Sequence, residues 1–271
     1  DALGPEEEAL ARAASEANGL FDSVATLVDL VAATPEPERL RDLLESLTDR
    51  FALALAVRNV DMAALALGAL HAERMRSSSA PARLAEVERA IERCGEPSCM
   101  REYAALLADA HVGSDAQALV ADLLQGLGRN AVVSLLEVLV AETVQSTRRK
   151  LLDVLATVAS ANLDVLAAYE SNPQWYVVRN IAWLLGRAGP AALPHVRKLS
   201  SHREPRVRRE AVRALGSLGG PDAVKGLLGY LVDRDETVFR EAVAKLATLR
   251  PTEAAPALRA AAQSPGFLDR D

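Results

Sequence analysis

The stretch "HREPRVRREAVRALGSLGG", residues 202–220, decides the fold of this chain, because its pattern returns at a period of about thirty residues. The repeating element is an arginine with apolar residues two and six positions after it. Each copy has the length and apolar spacing of one amphipathic helix. The copies occupy residues 147–159, 177–189, 207–219 and 238–250, with the arginine at Arg149, Arg179, Arg209 and Arg240.

Shorter apolar segments alternate with these helices. They cover residues 163–169, 191–199, 222–231 and 253–261, and glycine or proline separates them from their neighbours. The unit is therefore a helical hairpin, which must stack on other hairpins to bury its apolar face. We expect an all-α fold, a right-handed α-α superhelix of about eight hairpins. Residues 1–113 form its degenerate part and 114–271 its regular part, in one continuous array.

These residues resemble the short bacterial HEAT repeat, in which a turn with Asp or Pro leads to a Val-Arg pair and a closing Leu-Gly. Residues 202–220 are the best match, followed by 171–189 and 233–249. In the family the arginine directly follows the valine, as Arg208 does here. The same repeats occur in phycobilin lyases, so that class is a further alternative. The resemblance implies a fold more than a function.

The N-terminal half is expected to be helical as well. The pattern predicts helices at 20–33, 36–49, 50–58, 60–76, 80–94, 98–111, 115–127 and 129–142. Residues 76–81, "RSSSAP", are typical of a flexible connector. The start at Asp1 and the ending "SPGFLDRD" led us to expect a fragment of a longer protein.

Composition narrows the class of protein. The net charge of −6 and pI near 5.4 give no global attraction to nucleic acid or anionic membrane. Apolar runs stay short of the roughly 18 residues that span a bilayer, so we expect a cytoplasmic protein with no membrane partner. Cys94 and Cys99 are read as two thiols, with a disulfide as the alternative.

Charge is unevenly distributed along the chain. Residues 1–50 carry twelve acidic and four basic side chains, whereas 143–213 carry five acidic and twelve basic ones. In HEAT proteins the helix with these arginines lines the concave surface, which would make that surface basic. The resemblance implies that Arg149, Arg179, Arg209 and Arg240 form an internal structural ladder. Arg148, Arg206, Arg208 and Arg213 are the candidates for partner contact.

Two neighbouring aromatic residues join that candidate set. Trp175 and Tyr176 begin a helix beside Arg179 and could stack on a partner's side chain or base. Packing within the repeat is the alternative for Trp175.

Signatures of catalysis are missing from the sequence. There is no phosphate-binding loop, HExxH motif or nucleophile elbow, and the four histidines are scattered. A general-base role is the alternative for His195 and His202, but we expect both to be exposed histidines in turn regions. We therefore predict no catalytic, cofactor-binding or metal-binding residues and no enzyme activity.

The leading functional hypothesis is a non-catalytic HEAT scaffold of bacterial type. It would bind another protein, with an acidic or phosphorylated segment on the basic surface. The alternative is a DNA-binding HEAT-like protein, including a DNA-glycosylase-like activity, whose binding would fall steeply with salt.

Overall fold

The computed structural model describes residues 23–109 and 114–263. We number its helices in chain order and name the short 3₁₀ turns by their residues. The helices are α1 Ser23–Ala33, α2 Pro37–Ala56, α3 Val60–Arg76, α4 Pro81–Cys94, α5 Pro97–Ala108, α6 Ser114–Ala141, α7 Gln145–Val158, α8 Leu163–Ala167, α9 Trp175–Leu185, α10 Leu193–Lys198, α11 Pro205–Leu218, α12 Gly220–Gly229, α13 Glu236–Leu249 and α14 Ala254–Ala262.

The expected fold class is confirmed: the chain is all-α, and within the described ranges no residue is in a strand. It divides into two compact units, residues 1–151 and 152–271, with the division inside α7. The predicted division into 1–113 and 114–271, and the hairpin count, stay predictions.

The first unit packs around α2, α3 and α5. Phe51, Met62 and Leu70 are fully buried, and the buried Tyr103 hydroxyl donates to the Val120 carbonyl at 2.6 Å. The predicted helix break at residue 50 was wrong, because α2 runs unbroken from Pro37 to Ala56. No glycine or proline interrupts it there, and burial of Phe51 holds the continuous helix against the core.

A buried carboxylate organises the end of α3. Glu73, 1% exposed, accepts hydrogen bonds from Arg83 at 2.6 Å, Ser77 at 2.9 Å and Arg76 at 2.9 Å. Burial alone would raise the pKa of Glu73, but these donors outweigh it and lower the pKa. Residues 76–81 are therefore not the flexible connector we predicted, since Ser77 is buried in a 3₁₀ turn.

Gly128 divides α6. Its φ of 74° and ψ of −167° are non-helical, which confirms the predicted separation of helices 115–127 and 129–142. Leu119–Ala141 is long and apolar enough to cross a membrane by length and composition alone. Half of its most apolar window is buried in the protein.

Cys94 and Cys99 are free, buried thiols. Burial raises the pKa of both, so neither has the thiolate character of a reactive cysteine. The predicted pair of thiols is thus what the structure contains.

The second unit repeats one arrangement, in which α11 packs between α9 and α13 while α10 and α12 connect them. The backbones of α9 and α11 approach each other closely. A Cβ on Gly186, at the end of α9, would lie 2.8 Å from the Cα of Ala214 in α11. That distance is too short for any side chain. A glycine is required there, and it sets the separation of α9 and α11.

Candidate functional site

Between α11 and α13, arginines are neutralised by carboxylates of the next repeat. Arg208 donates through Nε and Nη2 to both oxygens of Asp233, at 2.8 and 2.7 Å, and through Nη1 to the His202 carbonyl at 2.9 Å. These side chains are 15% and 9% exposed. The Asp233 hydrogen bond raises the pKa of Arg208. Arg208, predicted to contact a partner, is thus held by internal bonds.

Glu241 of α13 holds two more arginines of α11. Arg209 and Arg213 each place a nitrogen 3.0 Å from the same carboxylate oxygen. Burial would raise the pKa of Glu241, but the two guanidinium groups outweigh it and lower the pKa. Arg209 therefore makes the bond to a neighbouring repeat that we expected of a ladder residue, and Arg213 shares its carboxylate.

Other predicted arginines make local contacts. Arg240 pairs with Glu236 of its own helix at 2.5 Å. In the first unit, Arg148 donates to the carbonyls of Glu142 and Thr143, at 2.8 and 3.3 Å, and Arg149 is exposed on α7.

A different arrangement lies between α9 and α11, centred on Trp175. The guanidinium carbon of Arg206, from α11, lies 4.8 Å from the centre of the indole ring. That of Arg179, from α9, lies 5.8 Å from it. Tyr176 meets the indole edge-on, with ring centres 6.1 Å apart and an interplanar angle of 86°. Two cations and two aromatic rings from successive repeats thus share one half-buried location.

Among the described residues, these two arginines have no carboxylate within 3.0 Å. Arg179 donates to the Asn180 side-chain oxygen at 3.1 Å. Arg206, 69% exposed, lies 3.7 Å from Glu204, and Glu204 is itself 28% exposed. Such an exposed pair contributes little. Positive charge at Trp175 therefore remains available to an anion.

The ladder bond expected of Arg179 is not formed. By the repeat spacing Arg179 corresponds to Arg209, and Glu210 corresponds to Glu241. Glu210 lies 3.4 Å from Arg213 in its own helix, and Arg179 turns to Trp175 instead. We name the Trp175, Tyr176, Arg179 and Arg206 side chains the indole site.

Just past the end of α9, Arg187 stacks on Trp183 with its guanidinium carbon 3.4 Å from the ring centre. Within α9, Trp175, Arg179 and Trp183 follow one another at intervals of four residues, a spacing that brings neighbouring members of the series together on the helix. No acidic residue occurs in α9.

A carboxylate and a histidine pair at the turn that leads into α9. Glu170, 9% exposed, lies 2.5 Å from Nδ1 of His195 and 3.5 Å from the Lys198 ammonium. A carboxylate on Nδ1 orients an imidazole so that Nε2 can accept a proton. His202 instead accepts the Glu204 backbone N–H through Nδ1 at 3.1 Å, a turn role.

Sequence reasoning found Trp175, Tyr176 and Arg206 but did not place them together, and it missed the Glu170–His195 pair. The repeat register could have indicated that Arg206 and Trp175 are close, because Arg206 lies in the first turn of α11 and Trp175 in the first turn of α9, the equivalent helix of the preceding repeat. Nothing in the spacing indicated the second.

A family model described as HEAT repeats matches residues 163–246. Deoxyhypusine hydroxylase of Eremothecium gossypii is 37% identical over 84 residues, which cover 30% of this chain and 26% of that enzyme. Among solved structures, human deoxyhypusine hydroxylase in complex with glycerol has a TM-score of 0.37 and 16% identity, covering 87% of this chain and 98% of that one. An engineered protein has a TM-score of 0.34 and 19% identity, covering 88% and 97%.

The similarity to a hydroxylase corrects the predicted function. The predictions of a non-catalytic scaffold, with DNA binding as its alternative, and of no enzyme activity were wrong, because a curated relative above 30% identity points to an enzyme. The sequence lacked familiar catalytic motifs, and we had taken that absence for absence of activity.

The family match and the repeated helices agree on the architecture. Long helices with an arginine in the first turns alternate with short ones across the matched residues. Residues 163–246 thus match HEAT repeats, and the described part of the chain is all-α.

Proposed function

We propose that this chain belongs to an enzyme and that its HEAT repeats hold the enzyme's protein substrate. One observation carries the proposal: the 37% identity with deoxyhypusine hydroxylase over 84 residues. The chain spans about a quarter of that enzyme, 26% of its length, so hydroxylation and its substrate are here proposals for the whole protein.

The described residues do not form a metal centre of the kind that hydroxylases use. Non-haem iron oxygenases, for example, hold iron with two histidines and a carboxylate. In residues 23–109 and 114–263, no group of three or more His, Cys, Asp or Glu side chains is placed to hold a metal ion. We therefore derive no metal-dependent step, and the role supported for this part of the chain is substrate binding.

The second unit has the features that substrate binding requires. Its helices are closely packed, as Gly186 shows, and its indole site presents unneutralised guanidinium groups on a rigid support. A bacterial origin, a cytoplasmic location and the absence of a membrane partner stay predictions from the sequence, and so does nucleic acid as the less favoured partner.

Retention of a modified protein by the purified chain tests the proposal. The chain is immobilised and offered a protein carrying deoxyhypusine, with the same protein without deoxyhypusine as the control. Mass spectrometry in parallel measures gain of one oxygen atom. We expect the modified form to be retained. Equal retention of both forms without oxygen gain, or no retention of either, would refute the proposal.

A further inference from the structure

We infer that the indole site binds an acidic segment of the partner protein, with a carboxylate held between Arg206 and Arg179 beside Trp175. This inference rests on the proposed function, since it names the chemistry of the segment that the repeats hold. Its basis is the difference in charge pairing among arginines of the same repeats.

The first step is the charge balance. Arg208, Arg209 and Arg213 each have a carboxylate oxygen within 3.0 Å. The two arginines of the indole site have none within that distance in the described residues, and the acid nearest to Arg206 is partly exposed at 3.7 Å. A carboxylate that enters here therefore meets guanidinium groups whose charge is not already neutralised.

The second step is the role of the ring. An indole face attracts a guanidinium group and limits the directions in which its N–H donors can point. Tyr176 meets the same indole edge-on. The two guanidinium groups thus lie beside the ring, and among the described residues Arg206 has only the long, exposed pair with Glu204 at 3.7 Å.

The third step selects a protein segment over a small anion. Trp183 lies eight residues after Trp175 on α9, roughly 12 Å along the helix. Its stack with Arg187, which lies just past the end of α9, forms a second basic and aromatic contact, and α9 itself carries no acid. An extended segment, rising about 3.3 Å per residue, reaches both with side chains about four residues apart.

A fluorescent peptide tests this inference. The probe has about eight residues that alternate Glu and Gly, roughly 26 Å when extended; the same peptide with Gln in place of Glu is the neutral comparison. We expect binding of the Glu peptide alone. Arg206→Ala should weaken it about tenfold, and Arg179→Ala with Arg206→Ala by more, as charge-assisted bonds are lost.

Arg240→Ala is the matched control, since Arg240 is an exposed arginine on α13 that pairs with Glu236. It should leave the affinity unchanged. Equal loss in this control, unchanged binding in the double variant, or equal affinity for the Gln peptide would overturn the inference. Retention of a DNA duplex in place of the Glu peptide would overturn it as well.

The two experiments fail separately. Retention of the deoxyhypusine-bearing protein by the wild-type chain is measured without reference to Arg206. If that retention succeeds and the double variant preserves it together with peptide binding, the indole site is refuted and the proposed function stands. If the peptide binds at the indole site but the modified protein is not retained preferentially, the proposed function is refuted.

Discussion

The contact of α9 with α11 and the contact of α11 with α13 use the same helical repeat but treat their arginines differently. At α11–α13, Asp233 and Glu241 neutralise three arginines of α11. At α9–α11, Arg206 and Arg179 lie against Trp175, and among the described residues neither has a carboxylate within 3.0 Å. One repeat sequence thus produces two kinds of arginine contact, according to whether a carboxylate of the next repeat pairs with the arginine of the preceding helix.

Removal of the Asp233 carboxylate should reduce the free energy of unfolding more than any other change considered below. Asp233→Ala leaves Arg208 mostly buried without its carboxylate, and we expect about 3 kcal/mol of destabilisation. Urea unfolding followed by tryptophan fluorescence measures it, because Trp175 and Trp183 both lie in the second unit. Asp222→Ala is the control, because the Asp222 side chain is 61% exposed and pairs with Lys225. This variant should change stability by less than about 0.5 kcal/mol. Similar losses of stability in both variants would show that the Arg208–Asp233 pair stabilises the fold no more than an exposed ion pair does.

Glu241→Gln should have a smaller effect, about 1 kcal/mol, because Arg209 and Arg213 are 43% and 40% exposed and solvent screens their charges. The same unfolding measurement applies. A loss as large as that of Asp233→Ala would mean that the two carboxylates are equivalent despite the difference in arginine exposure.

Acid should weaken the α11–α13 contact through the same carboxylate. The pKa of Glu241 is lowered in the folded chain, so its contribution is complete above the ordinary glutamate pKa of 4.5 and is lost as the pH falls through the lower folded value. Unfolding followed over that acid range should show a shallower decline in Glu241→Gln than in the wild type. Parallel curves would exclude Glu241 as a contributor.

Arg213→Ala should change stability least. It should also make the α9–α11 contact more similar to the α11–α13 contact. With Arg213 removed, Glu210 is free to pair with Arg179, as Glu241 pairs with Arg209. We expect a stability change within about 0.5 kcal/mol and altered Trp175 emission in a Trp183→Phe background. Arg179→Ala in addition should abolish the alteration. If emission stays the same, the two contacts differ for a reason other than competition for Glu210.

Periodicity predicted the repeating helices well because helix spacing is a local property of sequence. Gly128 marked a break correctly, since positive φ favours glycine. The false break at residue 50 has no such signal, since neither glycine nor proline occurs there and α2 continues to Ala56.

The site was harder to predict because a side chain's partner is a tertiary property. Arg208 and Arg209 are adjacent in sequence, yet one meets Asp233 and the other Glu241. Nor could spacing show that Arg206 lies over Trp175, or that Glu170 meets His195. The enzyme relationship was inaccessible for a further reason, since the matched repeats contain no catalytic motif.

The close approach of Gly186 to Ala214 also has a kinetic consequence. The separation of α9 and α11, the helices that carry Trp175 and Arg206, is set before any partner arrives. We therefore expect binding of the proposed acidic segment to require no slow rearrangement of these helices, so that diffusional encounter sets its rate. Added salt should therefore slow association, which depends on attraction between opposite charges at long range, much more than it hastens dissociation.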